Sequence, residues 1–195
     1  MRVVLASNNA DKLGELRPLL EPLNLSLVSQ GALGIDAAPE EGLTFVENAI
    51  AKARHVCRAA RLPAIADDSG LVVPQLGGQP GIRSARFAGE NATDAQNNAK
   101  LVADLKGEDS VPAHFYCALV FLRDATDPAP LIATARWPGR ILSHPRGSRG
   151  FGYDPHFLIE GLGQTAAEVD AETKNRLSHR GQATAQLVSL LRGDP

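Results

Sequence analysis

The sequence predicts a mixed α/β protein, and three observations support this. Short apolar segments typical of buried strands alternate along the 195 residues with segments whose apolar residues recur at helical spacing. Two of the later strand-like segments are joined by a polar link, which indicates an antiparallel pair and therefore a mixed sheet. With 44% hydrophobic residues, the chain is long enough for one sizeable core or two lobes, so we expect one domain over residues 1–195.

The N-terminal part of the chain predicts a strand, a helix and a second strand. Residues 3–6 are apolar and predict a buried strand. Leucines at helical spacing then predict a helix from near Asp11 to about Pro22. Residues 25–28 predict the second strand, and residues 30–42, rich in Gly, Pro and acidic side chains, predict a surface loop.

Three capping patterns predict where later helices begin. Thr44, Thr93 and Thr165 each stand three residues before a Glu or Gln, so that threonine hydroxyl and acidic or amide side chain can satisfy each other's backbone amides. The first pattern predicts a helix to about residue 61, and the second a helix through residue 105. The third predicts another helix start near the C-terminal end.

The remaining strands are predicted from apolar and β-branched segments. Residues 64–66 are apolar and predict a buried strand that delivers Asp67 and Asp68 to a glycine turn at Gly70. Residues 114–123 and 131–137 predict a hairpin with a longer connection.

Composition excludes several classes of function. The net charge of −2 and pI near 6.2, without a run of Lys and Arg, argue against nucleic acid as a partner. No apolar segment is long enough to span a bilayer, and residues 2–6 are too short for a signal peptide. Cys57 and Cys117 lack metal-ligand spacing and suit reduced thiols, so we expect a cytoplasmic protein.

Adjacent carboxylates give the first chemical prediction. Asp67 and Asp68 at the end of a buried strand are costly to desolvate unless a cation or a strong donor meets them. Glu40 or Glu41 from the acidic loop, with Asp67 or Asp68, supplies the oxygen ligands that Mg²⁺ prefers, and Asp68 is placed to orient or deprotonate a water molecule. The alternatives are a solvated acidic loop and a pair of turn and cap residues.

Three other segments suit a nucleotide. Residues 7–12 place a hydroxyl, amides and an ammonium where a strand leads into a helix, which favours a phosphate site, although an ordinary Asn or Asp cap is an equal alternative. Residues 147–155 combine glycines with Phe151 and Tyr153, which offer faces for base stacking, or form a bulged hairpin. Lys174 and residues 178–181 suit phosphates or carbonyl oxygens, or a basic helix end.

Taken in order, these segments resemble the inosine triphosphate pyrophosphatase family over nearly the whole chain. The shared motifs are S-x-N-x-x-K at 7–12, E-x-G-x-T-F-x-E-N-A at 40–49, A-D-D-S-G-L at 66–71, L-G-G at 76–78, P-G at 80–81, S-A-R at 84–86, G-F-G-Y-D-P at 150–155 and S-H-R-G at 178–181. Arg83 and Phe87 depart from the pattern, because many relatives have tyrosines there. The ordered series is highly specific, although each motif alone is weak.

The resemblance implies a fold and a reaction. The implied fold is mixed α/β, with an elongated central sheet flanked by helices and two lobes with a substrate cleft between them. The implied activity is magnesium-dependent hydrolysis of deaminated purine nucleoside triphosphates (ITP, dITP and XTP) to the monophosphate and pyrophosphate, which removes them from the nucleotide pool. It also implies a homodimer. The alternatives are a Maf-like pyrophosphatase acting on other nucleotides and a noncatalytic nucleotide-binding sensor.

The resemblance also implies roles for individual residues. Asp68 is the catalytic residue that activates water, and Glu40 and Asp68 bind Mg²⁺, with Glu40 chosen over the adjacent Glu41. The implied substrate-binding residues are Ser7, Asn8, Asn9, Ala10, Asp11, Lys12, Ser69, Phe151, Gly152, Tyr153, Asp154, Lys174, His179 and Arg180. Lys52, Asp67 and Arg86 are supporting candidates, the two cations because a triphosphate needs positive charge to offset its own repulsion.

Overall fold

The computed structural model describes residues 1–193, and in that part of the chain six strands and five α-helices form. The strands are β1 (Arg2–Leu5), β2 (Ser26–Ser29), β3 (Ala64–Val72), β4 (Val111–Leu122), β5 (Leu131–Ile141) and β6 (Phe157–Ile159). The helices are α1 (Ala10–Leu20), α2 (Phe45–Ala60), α3 (Asp94–Asp104), α4 (Ala171–Leu177) and α5 (His179–Arg192).

The strands belong to one sheet with the order β2-β1-β3-β4-β5-β6. Strand β1 is parallel to both β2 and β3, whereas β6 is antiparallel to β5. The mixed sheet and the alternating helices confirm the predicted α/β fold. The two strands predicted as a hairpin are β4 and β5, which are neighbours in the sheet.

The chain divides into two compact units. Unit 1 contains residues 1–68, residues 117–135 and the chain from His179 onward. Its core is formed by side chains from β1, α1, β4 and α5, among them Leu5, Leu16, Leu119 and Leu187. Unit 2 contains residues 69–116 and 136–178, and its core includes an aromatic group of Phe115, Trp137 and Phe157.

Two of the three predicted capping boxes form. At α2, the Thr44 side chain accepts from the Glu47 amide while the Glu47 carboxylate accepts from the Thr44 amide at 2.8 Å. Thr93 and Gln96 make the same reciprocal pair at α3. Both predicted helices are therefore confirmed. Each capping box satisfies backbone amides of the first turn that have no carbonyl partner within the helix.

The third predicted helix start, at Thr165, is wrong. The Glu168 carboxylate does accept from the Thr165 amide at 2.7 Å, but the Thr165 hydroxyl donates to the Arg146 carbonyl at 2.7 Å. Only a turn forms there, closed by the Glu168 amide and the Thr165 carbonyl. Helix α4 begins six residues later, after Asp170 caps the Thr173 amide at 2.7 Å.

The predicted glycine turn after Asp68 is also wrong, because β3 continues through Gly70 to Val72. Gly70 is needed for a close approach instead. A Cβ there would lie 2.5 Å from the Gly81 carbonyl oxygen, and the Ser84 hydroxyl accepts from the neighbouring Leu71 amide at 2.9 Å. The aspartates therefore lie within a strand and not at its end.

Two exclusions made from composition can be compared with the structure. In the described part of the chain, both Cys57 and Cys117 are buried thiols without a disulfide, as predicted. Within residues 1–193, no helix has the length and apolar character needed to cross a membrane.

Candidate active site

Asp67 and Asp68 occupy adjacent positions on β3, so their side chains project to opposite faces of the sheet. Both carboxylates are buried, with relative exposures of 3% and 5%. Each is met by cationic side chains of unit 1. The burial cost predicted from the sequence is therefore offset by ion pairs that the fold itself provides.

Asp67 joins a buried network with two cations. Its carboxylate accepts from Lys12 Nζ at 2.6 Å and from Arg180 Nε at 2.9 Å. Arg180 also pairs with Glu15 on α1. The Cys117 thiol lies 3.3 Å from the second Asp67 oxygen. This network ties β3 to the helices that begin after β1 and at His179.

The charges of this network determine the ionisation of its members. Burial alone would raise the pKa of the Asp67 carboxyl, but the positive charges of Arg180 and Lys12 outweigh it and hold that pKa well below its usual value. Burial opposes the charge on Arg180, yet Asp67 and Glu15 raise its pKa. Asp67 is therefore a fixed anion, which suits it to hold Lys12 and Arg180 in place.

Asp68 has a different environment. It accepts from Lys52 Nζ at 2.7 Å and from Asn48 Nδ2 at 3.3 Å, both on α2. Lys52 also pairs with Glu40. Burial raises the pKa of the Asp68 carboxyl, and the opposing charge of Lys52 does not fully offset it. Burial would lower the pKa of Lys52, but the charge of Asp68 and its hydrogen bonds raise it.

Asn48 also positions the acidic loop. Its Oδ1 accepts from the Gly42 amide at 2.8 Å while its Nδ2 donates to Asp68. A Cβ at Gly42 would lie 2.7 Å from that Oδ1, so glycine allows the approach. The loop thereby places Glu40 on Lys52, whereas Glu41 is exposed and lines a separate surface pocket with His55.

The donor set can be tested against a divalent cation. Within residues 1–193 no group of three or more His, Cys, Asp or Glu side chains could hold a metal. Glu40 and Asp68 supply two carboxylates around the single ammonium of Lys52, which leaves these three side chains with an excess of one negative charge. Mg²⁺ usually takes one or two protein carboxylates and completes its shell with phosphate oxygens and water, so these residues fit it.

Residues 7–12 form the start of α1. The Asn9 side chain caps the Lys12 amide at 3.0 Å, and the Ser7 hydroxyl accepts from the Asn9 amide at 3.1 Å. The alternative of an ordinary Asn cap is thus correct for Asn9, but Lys12 is ion-paired with Asp67. Asn8, Ala10 and Asp11 are exposed at this helix N-terminus, where the helix dipole favours an anion.

Unit 2 contains a second group of predicted residues. Residues 150–153 lack strand or helix structure and lead into a 3₁₀ turn that begins at Asp154. The Asp154 carboxylate accepts from the Phe151 amide at 3.0 Å and from Lys174 Nζ at 2.5 Å. Lys174 Nζ lies 4.8 Å from the centroid of the Phe151 ring. Tyr153 is buried and donates its hydroxyl to the Ser84 carbonyl at 2.8 Å.

The remaining predicted residues lie on three different parts of the chain. Ser178 is the C-cap of α4 and Lys174 lies in the last turn of that helix, so the alternative of a basic helix end is correct for these two residues. His179 and Arg180 begin α5 and are both buried. Ser69 follows Asp68 on β3 and is half-buried. Arg86 lies in unit 2 and contacts Glu90 at 3.9 Å.

Sequence reasoning missed Asn48, Glu15 and Cys117. Asn48 had a signal, because it stands four residues before Lys52 and so shares a helix face with it. No local sequence pattern indicates Glu15 or Cys117, because their partners Arg180 and Asp67 lie 165 and 50 residues away in the sequence.

The fold and the carboxylate–lysine groups define an α/β protein equipped to hold an anionic ligand and a cation beside buried acids. The model of the Ham1 family matches residues 3–190. A dITP/XTP pyrophosphatase of Ralstonia nicotianae is 55% identical over 98% of this chain and 96% of its own length, and one of Escherichia coli K12 is 52% identical over 98% of each. A HAM1 protein from Coxiella burnetii has a TM-score of 0.92 and 44% identity, covering 99% of both chains. The chain belongs to the Ham1 family, which confirms the resemblance noted from its motifs.

Proposed function

We propose that this chain hydrolyses deaminated purine nucleoside triphosphates (ITP, dITP and XTP) to the monophosphate and pyrophosphate. The main support is the placement of the buried Asp68 beside the half-buried Lys52 and Glu40, three side chains that together have one excess negative charge. The names of the relatives at 52% and 55% identity agree with this activity and do not favour the Maf-like alternative.

The reaction exchanges one bond to phosphorus for another. A water oxygen bonds to one phosphorus atom of the α–β anhydride, the bond from that phosphorus to the bridging oxygen breaks, and the monophosphate and pyrophosphate separate. Asp68 accepts the proton from the water, and Asn48 and Lys52 hold its carboxylate for that task. Together with a bound cation, Lys12 and Lys52 would offset the phosphate charge that would otherwise repel the incoming water oxygen.

Glu40 and Asp68 would hold Mg²⁺. When bound, the ion supplies charge neutralisation for the phosphate oxygens. Residues 7–12 would bind phosphates through amides at the start of α1, where the dipole favours an anion. We assign the Phe151 ring to the purine base, with Gly152, Tyr153, Asp154 and Lys174 as its supporting segment, and retain Ser69, His179, Arg180 and Arg86 as further candidates.

The decisive experiment is product analysis with ITP and Mg²⁺. We expect equal amounts of IMP and pyrophosphate, with ATP hydrolysed much more slowly. Asp68→Asn should keep nucleotide binding and lose most of the rate. Release of single orthophosphates, or equal hydrolysis of ATP, would reject the proposal, and binding without turnover in the wild type would support the sensor instead.

Glu40→Gln and Glu41→Gln form a matched pair for the metal assignment. Glu40 pairs with Lys52, whereas Glu41 is exposed in a separate pocket. We expect Glu40→Gln to raise the Mg²⁺ concentration needed for half-maximal activity and Glu41→Gln to leave it unchanged. If Glu41→Gln raised this concentration and Glu40→Gln did not, Glu41 would be the metal ligand.

Three broader statements belong to the same proposal. We infer that residues 1–195 act as one catalytic domain, because the family model matches residues from both units. We propose a homodimer, which light scattering of the purified protein will test. A cytoplasmic location is proposed from the two buried thiols without a disulfide in the described chain.

A further inference from the structure

Helix α3 has no role in the function described so far, yet it contacts the segment that bears Phe151. The Gly152 amide donates to Asp94 Oδ2 at 2.6 Å, and Asn98 Nδ2 donates to the Gly152 carbonyl at 2.7 Å. Asp94 and Asn98 are four residues apart and so share one face of the helix. A single helix therefore holds both polar groups of one residue in this segment.

The contacts of α3 with Gly152 lie where regular secondary structure does not restrain the backbone. Gly150 and Gly152 have φ angles of 71° and 61°, a backbone region that side chains rarely allow, and residues 150–153 form no strand or helix that could restrain them. The Phe151 amide is held by Asp154 on one side, and the next peptide along is the one held by α3. Fixing Gly152 thus restricts the backbone that orients the Phe151 ring.

Capping does not account for Asp94. Thr93 and Gln96 already form the capping box of α3. The hydrogen bond that the Asp94 carboxylate accepts from Gly152 is therefore not part of the helix cap. A carboxylate in the first helical turn also interacts favourably with the helix dipole.

Asn98 provides the second observation. Its side chain is 9% exposed, and its Oδ1 is buried without a hydrogen-bond partner within residues 1–193. A buried polar atom without a partner costs free energy. The fold accepts this cost at the position where the other end of the same amide holds the Gly152 carbonyl and the Asp94 carbonyl, the latter at 2.8 Å.

We propose that Asp94 and Asn98 are positioning residues that fix the plane of the Phe151 ring for the base of the nucleotide. This inference rests on the proposed function, because that function assigns Phe151 to the base. It adds a specificity role for α3 through residues that do not themselves touch the substrate.

The test compares three variants at one helix. Asp94→Ala removes the acceptor, and Asp94→Asn keeps an acceptor oxygen but removes the charge. Asp104→Ala changes an exposed acid of the same helix that pairs with Lys100. We expect Asp94→Ala to raise the KM for ITP about tenfold with kcat within about twofold, as loss of one charge-assisted hydrogen bond would do. Asp94→Asn should retain most of the wild-type KM, and Asp104→Ala all of it.

A second measurement separates positioning from folding. The dissociation constant of IMP, measured by calorimetry well below the Tm of each variant, should rise for Asp94→Ala and for Asn98→Ala in parallel with KM. A merely structural role would lower Tm and leave KM and this constant unchanged in the folded fraction. An equal loss in Asp94→Asn and Asp94→Ala would assign the effect to helix charge and would overturn the inference.

Failures of the two proposals are distinguishable. If the wild type hydrolyses ITP and Asp94→Ala has an unchanged KM, only the positioning role fails. If the wild type binds IMP without hydrolysing ITP and Asp94→Ala binds it more weakly, the proposed reaction fails and the positioning role stands. A wild type that does neither contradicts both.

Discussion

Asn48 connects the two acidic segments of unit 1, since one end of its amide holds the Gly42 amide and the other holds Asp68. Asn48 is 1% exposed, so both hydrogen bonds are shielded from solvent. Its position between the Glu40 loop and β3 allows it to fix, together with Lys52, the relative placement of both carboxylates.

We predict that Asn48→Ala lowers kcat for ITP about tenfold and stability by about 1 to 3 kcal/mol, because it leaves the Gly42 amide and one Asp68 oxygen without their partner. Asn97→Ala is the matched control. Asn97 is also buried on a helix and bridges two backbone groups, the Ala88 amide and the Ala85 carbonyl. It should lose comparable stability in urea unfolding and keep kcat. Equal kcat losses in the two variants would contradict the prediction.

Cys57 gives a pH prediction that is separate from the carboxylates. Burial raises the pKa of its thiol to about 11, above the value of about 8.5 in an unfolded chain. The folded state therefore favours the protonated thiol. Its contribution to stability is complete below about pH 8.5 and is lost as pH rises through about 11.

The measurement is urea unfolding of the wild type and of Cys57→Ala across that range. The wild type should be the more stable at about pH 8, and its advantage should shrink as pH approaches about 11. The difference between the two proteins removes the contribution of other ionising groups. A difference that stays constant with pH would contradict the prediction.

The individual residues of the candidate site were predictable to the extent that their chemistry is local. Adjacent aspartates after an apolar segment indicated a cation site at Asp67 or Asp68, and a lysine at the start of a helix indicated a phosphate site. The choice of Asp68 as the catalytic residue came from the resemblance to the family. The partners of these side chains were not predictable, because Lys12 meets Asp67 across 55 residues and Arg180 meets it across 113. A single sequence does not show such contacts, which form only when α1, β3 and α5 pack together.

Helices were predicted well where their starts are self-contained. The boxes at Thr44 and Thr93 need only four consecutive residues, and both form. The pattern at Thr165 failed because Arg146, 19 residues earlier, binds its hydroxyl through the backbone carbonyl. The predicted end of β3 is wrong for a similar reason: a glycine after polar residues is typical of a turn, whereas Gly70 allows the close approach of Ser84 and Gly81 from a later segment.

Removal of the Thr44 cap should destabilise the start of α2. Thr44→Ala is expected to lower the free energy of unfolding by about 1 kcal/mol, because the Glu47 amide loses its acceptor. Thr93→Ala removes the equivalent cap of α3 and should lower it by a similar amount, whereas Thr44→Ser keeps the hydroxyl and should lower it little. Urea unfolding followed by circular dichroism measures all three. An unaffected Thr44→Ala would show that the box adds nothing beyond the packing of α2.

In unit 1, cations of the chain itself form ion pairs with the acidic side chains of Glu15, Glu40, Asp67 and Asp68. Lys12, Asp67, Arg180 and Glu15 together are neutral, and Lys52 lies between Glu40 and Asp68. Buried carboxylates without such partners would destabilise the fold by several kcal/mol each. The stability of the protein should therefore not depend on a bound metal, even where its activity does.

This balance predicts the response of the protein to metal removal. With excess EDTA, release of pyrophosphate from ITP should stop, because the one excess negative charge of Glu40, Lys52 and Asp68 can no longer be met by a cation that also binds phosphate oxygens. The Tm should change by only a few degrees, since Lys52 already pairs with both carboxylates. Activity and calorimetric melting are measured on the same sample, and Mg²⁺ added back beyond the chelator is the control and should restore the rate. A large fall in Tm on chelation would show that the ion pairs of Lys52 are insufficient to hold these carboxylates in the folded chain, and undiminished activity in EDTA would remove Glu40 and Asp68 from the role of metal ligands.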